Sequence, residues 1–170
     1  MATDLTNLAG RIQASLRFSV EKALDLSTPR DDFASVITQL FTFGTAANQA
    51  NQLWHDSRSL AEAASETLDL AGSLVSAFGG TVAFATIKAI LFRNTGSGAF
   101  TIGAATENTF VGPFGSAADS LVVPAGGIVL LTAPAAGWTV TADSGDLLAV
   151  TNEDVENEQT YDIVLLGVSA

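Results

Sequence analysis

From residue 81 onward the chain is a succession of short apolar runs, each closed by turn residues: "GAFTIG", "NTFVG", "DSLVVPAGG", "IVLLTAP", "GWTVTADSG", "DLLAVTN" and "TYDIVLLGV". Runs this short leave no room for a helix of ordinary length. Turn signals recurring roughly every 8 to 12 residues are the pattern of an antiparallel sandwich or barrel. The run "TVAFATIKAILFRN" is apolar on both parities, with Val82, Phe84, Ile90 and Phe92 on one and Ala83, Ala85, Ile87, Ala89 and Leu91 on the other. A strand of that kind is covered on both faces and belongs at the centre of a sheet. The expected fold class is therefore all-β, an antiparallel two-sheet sandwich of jelly-roll type.

The amino-terminal part has a different period. In "RIQASLRFSVEKALDLS", Ile12, Ala14, Leu16, Phe18 and Val20 alternate with Arg11, Gln13, Ser15, Arg17, Ser19 and Glu21. Period two makes this a strand, with the apolar face buried and the other face wet or turned to a subunit. Twelve extended residues reach roughly 40 Å, long enough to lie on a neighbouring chain. "STPRDD" reads as a turn, and "FASVITQLFTFG" as a strand with a short helix as the alternative. "TAANQANQ" reads as a polar loop, two short strands are expected around Ala63 to Glu66, and "SLVSAFGG" suits a single helical turn. The organisation expected is an arm over residues 1–32 and a sandwich domain over residues 33–170, with at most one short helix.

Composition narrows the function classes. The 170 residues carry 18 Asp plus Glu against seven Lys plus Arg, a formal charge of -11 that repels nucleic-acid phosphate. All nine acids after residue 94 stand without a base, so one face of the molecule is expected to be acidic and solvated. No cysteine is present, which removes disulfides and thiolate metal sites. No apolar run approaches the roughly 20 residues of a membrane span, and no charged-then-apolar leader follows Met1, so a soluble protein without signal peptide is expected.

Chemistry has few residues to use. "NQLWHDSRSL" holds the only histidine, His55, between Trp54 and Asp56. Asp56 and Ser57 supply the types of a catalytic triad, yet successive side chains on an extended segment point to opposite faces. A metal centre at His55 would need a second imidazole or converging carboxylates. The run "NEDVENEQTYD" offers oxygens from Asn152, Asp154 and Glu156 but lacks the spacing of a calcium loop, and reads as a solvated hairpin loop. "GSGAFTIG" has glycines but no lysine, so a phosphate cradle is not expected. Trp54 and Trp138 are candidate platforms for a sugar ring. No catalytic residue, metal or cofactor is predicted.

The segments "FTFGTAANQANQLWHDSRSL", "TLDLAGSLVSAFGGTVAFATIKAILFRN", "VVPAGGIVLLTAPAAGWTVTADSGDLLAVTN" and "TYDIVLLGVSA", in that order, resemble small structural proteins of tailed-bacteriophage virions, capsid decoration (cement) proteins in particular. The resemblance implies a non-enzymatic homotrimer that binds the major capsid protein on the capsid surface and is made in the host cytoplasm. Tail or head-fibre proteins that recognise host glycans are the alternative. On this reading Arg11, Arg17 and Lys22 of the arm contact a partner by strand addition. Gln49 and Gln52 would lay amides against it, Trp54 would anchor the loop, and His55, Asp56 and Arg58 would face or pair across a subunit boundary.

Overall fold

Every regular element among the described residues is a strand; the computed structural model describes residues 7–169. The first six residues of the expected arm lie outside that range. In chain order the strands are β1 (Gly10–Glu21), β2 (Arg30–Phe43), β3 (Gln49–Ala50), β4 (Gln52–Leu60), β5 (Ser65–Asp69), β6 (Leu74–Val75) and β7 (Thr81–Val82). They continue as β8 (Phe84–Asn94), β9 (Phe100–Gly103), β10 (Ser120–Val123), β11 (Ile128–Thr132), β12 (Trp138–Thr139), β13 (Leu147–Asn152) and β14 (Gln159–Ser169).

Two antiparallel sheets make a sandwich, one ordered β10-β9-β13-β5 and the other β11-β8-β14-β4 with β12 beside β8. As its two-faced apolar sequence requires, β8 is central, bonded to β11 and β12 on one side and β14 on the other. The pairs β4·β14, β5·β13, β8·β11 and β9·β10 are all antiparallel, first with last and so inward. From residue 52 on, the chain is thus one long ribbon doubled back at the β9–β10 turn. It is rolled so that successive pairs alternate between the two sheets.

The core between the sheets is built from alternate residues of these strands, as period two dictates. At its centre Phe92, Phe100 and Tyr161 pack as tilted rings with centroids 5.3 to 6.1 Å apart. Such geometry adds on the order of 1 kcal/mol per pair beyond area burial. One end is closed by two buried asparagines at strand ends. The Asn94 amide donates to the carbonyls of Gly98 and Val123, and that of Asn152 to Leu60, Ala61 and Asn157. Polar side chains placed there satisfy loop carbonyls that the ladder cannot reach. At the other end β14 and β8 approach so closely, at a register shift, that a Cβ on Gly167 would lie 2.1 Å from the Thr86 carbonyl oxygen.

Several local expectations are corrected. Residues 73–80 form no helical turn but a small β6–β7 hairpin, closed by the Ser76 N–H donating to the Gly80 carbonyl. A single strand, β5, replaces the two expected around residues 63–66. "NTFVG" contributes only a bridge from Thr109 to Leu147. The acidic loop after Asn152 does not close a hairpin, because β13 and β14 lie in different sheets.

The largest difference lies in the arm. β2 pairs antiparallel with β1 over its full length, from Gly10 opposite Phe41 to Glu21 opposite Arg30. The division expected between residues 32 and 33 therefore falls inside β2, and the arm is a hairpin reaching Phe43. Its apolar face was expected to be buried, yet only its base is. Phe41, with Ile12 beside it, packs on Ala50, Ala89 and Leu166, whereas Leu16, Phe18, Val20, Phe33 and Ile37 are exposed.

Candidate functional site

Cross-strand register decides which hairpin side chains share a face. Ala14 stands opposite Ile37, Leu16 opposite Ser35, Phe18 opposite Phe33 and Val20 opposite Asp31, so one face carries a nearly continuous apolar stripe. The other face carries Arg11, Gln13, Ser15 and Arg17 opposite Leu40, Thr38, Val36 and Ala34. A two-stranded ribbon is only marginally stable alone in water, because neither face is covered. β1 also ends its sheet in the order β1-β2-β3, leaving a free edge of backbone donors and acceptors. The tip adds Leu24 and a fully exposed Leu26.

The outer face of the β11-β8-β14-β4 sheet is apolar as well. Leu130, Leu91, Val164 and His55 form one row across it, and Ala89, Leu166 and Leu53 lie in the next. The hairpin base arches over this face and encloses a cleft of about 900 Å³, lined by Ile12, Ala14 and Leu16 on one wall and Leu53, Leu91, Ile128, Leu130 and Val164 on the other. A smaller cavity of about 340 Å³ continues beside it, between His55, Leu53, Gln52 and the exposed ring of Phe78.

The residues singled out in "NQLWHDSRSL" are parted by strand alternation. His55 turns to the outer sheet face opposite Val164, while Trp54, Asp56 and Arg58 share the opposite parity. Trp54 is 3% exposed and its indole N–H donates to the Val75 carbonyl at 3.1 Å, so it neither anchors a partner nor offers a ring to a sugar. Arg58 and Asp56 pair with each other at 2.9 Å within the chain. The Arg58 guanidinium donates a second fork to Glu66, and the Tyr161 hydroxyl donates to the other oxygen of the same carboxylate at 2.6 Å. The hydrogen bond to Glu66 raises the Arg58 pKa above its ordinary value. Burial, followed by the Glu66 carboxylate, pushes the Tyr161 phenol up. This triad joins β4, β5 and β14 across the sandwich edge and is spent on structure.

Gln49 is likewise used at home, its Oε1 accepting the Ala46 N–H at 3.0 Å. Gln52 is half-buried at the start of β4, opposite Gly167. Arg11, Arg17 and Lys22 do lie on the projecting hairpin, the first two on its polar face and Lys22 at its turn. In the acidic loop, Asp154 Oδ1 accepts the N–H groups of Glu156 and Asn157, and Asn152 Oδ1 accepts that of Asp154. Those bonds, the one from Glu156 foremost, hold the Asp154 carboxyl below the usual aspartate value. Sequence reasoning missed the exposed apolar set of Phe18, Phe33, Ile37 and Leu130. For Phe18 the signal is the β1 alternation, which the sequence reading assigns to burial.

Charge follows the same division. Residues 10–43 hold four basic and four acidic side chains, whereas residues 44–169 hold three basic and thirteen acidic. The hairpin is neutral and the sandwich strongly negative.

No protein-family model matches this chain, and neither does any curated protein. Among solved structures it is similar to the crystal structure of PirA, with a TM-score of 0.36 and 15% identity over 66% of this chain and 93% of that one. A likeness this loose transfers neither fold nor function.

Proposed function

We propose that the chain is a non-enzymatic structural protein of a tailed-phage virion, a capsid decoration (cement) protein that binds the major capsid protein lattice as a homotrimer. The observation that carries this reading is the projecting β1–β2 hairpin, which presents a free strand edge and, beyond its base, two faces that the described residues leave uncovered. A free edge with Arg11 and Arg17 beside it suits strand addition to a sheet of the shell. The rolled order of paired strands supports a jelly-roll reading of the sandwich, a compact platform from which such an arm projects. The acidic sandwich suits the solvated outer side.

The mechanism is mass action. A protein that binds only the assembled lattice favours assembly by about 2.7 kcal/mol per site at a hundredfold excess over its Kd. The full-length protein is expected to pellet with purified expanded shells in numbers comparable to the major capsid protein. Arg11→Glu with Arg17→Glu is expected to abolish that pelleting while leaving the free protein's oligomeric state unchanged. Failure to pellet, or a few copies per particle confined to the tail, overturns the decoration reading.

A further inference from the structure

We infer that the cleft under the hairpin takes the hairpin of a second copy of this chain, each copy's apolar outer stripe lying on the outer β11-β8-β14-β4 face of its neighbour. The inference deepens the reading above by naming the trimer's interface, but it concerns the isolated protein and needs no shell.

Complementarity is already visible inside one chain. At the hairpin base, Ile12 and Phe41 pack on Ala89 and Leu166 of this sheet. Farther out the same hairpin face continues through Leu16, Phe18, Val20 and Phe33, all exposed among the described residues. The same sheet face continues through Leu53, Ile128 and Leu130, which are also exposed. The base contact fixes the hairpin on its own chain, and the cleft beside it is open to a neighbour's hairpin.

Charge agrees with that occupant, and a closed ring supplies the area. One copy's exposed stripe and the next copy's exposed sheet residues together offer on the order of 700 Å² of apolar side-chain surface per contact, about half of a standard interface of roughly 1,600 Å², and each copy of a ring makes two such contacts. Two sandwiches meeting face to face would bring together two bodies that each carry thirteen acids against three bases. A hairpin of balanced charge meeting a sandwich avoids that repulsion. Each copy donates a hairpin and receives one, a head-to-tail contact that closes into a ring when the rotation permits.

The absence of cysteine allows a direct test. One tagged copy carries Leu16→Cys, Phe18→Cys or Val20→Cys, a differently tagged copy carries Leu53→Cys, Ile128→Cys or Leu130→Cys, and mixtures are oxidised without shells. All six positions are exposed, so thermal melts are expected to match the parent. Disulfides joining the two tagged chains are expected, together with an oligomer in equilibrium sedimentation of the unmodified protein. Phe18→Asp with Phe33→Asp is expected to shift that oligomer to monomer. A monomer at high micromolar concentration, or links formed only between copies bearing the same tag, overturns the inference. An oligomer that cross-links as expected but fails to pellet with shells overturns the virion reading and leaves this one standing.

Discussion

Phe18 and Phe33 stand directly opposite each other on β1 and β2, 65% and 55% exposed, two phenyl rings side by side in water on a ribbon that has no core of its own. In the monomer at high dilution neither ring contributes to the packed sandwich, so Phe18→Ser with Phe33→Ser is expected there to change the unfolding free energy by no more than about 0.5 kcal/mol per site. The same variant is expected to lose binding of an environment-sensitive apolar dye. Urea titration and dye fluorescence read the two effects separately.

Tyr161 is the chain's only tyrosine, and its hydroxyl donates to a carboxylate already paired with Arg58. Tyr161→Phe removes one charge-assisted bond and is expected to cost about 1.5 kcal/mol in urea unfolding. Its folded pKa lies above the unfolded value of 10.0, so its contribution is complete below pH 10.0 and declines as pH rises beyond it, where the unfolded phenol ionises first. Tyrosinate absorbance is therefore expected to appear together with unfolding. Ionisation near pH 10.0 in the intact fold would contradict the buried Glu66 contact.

Asp154 behaves in the opposite sense. Its carboxylate accepts two loop N–H groups, so its folded pKa lies below 3.8 and its contribution to loop order is present above that pH and lost as pH falls through the folded value. The carboxyl-carbon resonance of Asp154 is expected to titrate below 3.8, with the Glu156 and Asn157 amide resonances moving at the same midpoint. A midpoint at or above 3.8 would remove the turn from the folded state in solution.

The hairpin is the unit of truncation. The main core draws on no residue before Trp54, so removal of residues 1–43 is expected to leave a cooperatively melting sandwich. The loss is about 1.5–3 kcal/mol for the burial of Phe41. Removal of residues 1–22 instead strips β1 from β2 and exposes a long apolar edge, which is expected to aggregate in size-exclusion chromatography.

The sandwich was legible where local pattern and burial coincide. The two apolar parities of β8 predicted a central strand, and the alternation of β1 predicted a strand of that length. Alternation names two faces but not what covers them, which is why the β1 stripe was assigned to a core that its chain does not supply. Trp54 and Arg58 looked like contact residues because their partners, Val75, Glu66 and Tyr161, are brought to them only by the rolled topology. The crossing of the acidic loop between sheets was hidden for the same reason. Loop length is compatible with a hairpin, and only the pairing of β13 with β5 and of β14 with β4 excludes one.

The doubled ribbon also sets an order of events during synthesis. β1 and β2 are neighbours in sequence and pair as soon as residue 43 has emerged, whereas Trp54 meets its partner Leu165 only after more than a hundred further residues have been made. Local pairing is fast, and closure over a hundred residues is slow. A nascent chain therefore displays its sticky arm well before it owns a sandwich. Neighbouring chains on one messenger would meet first through the element that later joins finished copies, which makes co-translational pairing a hazard and a head start together.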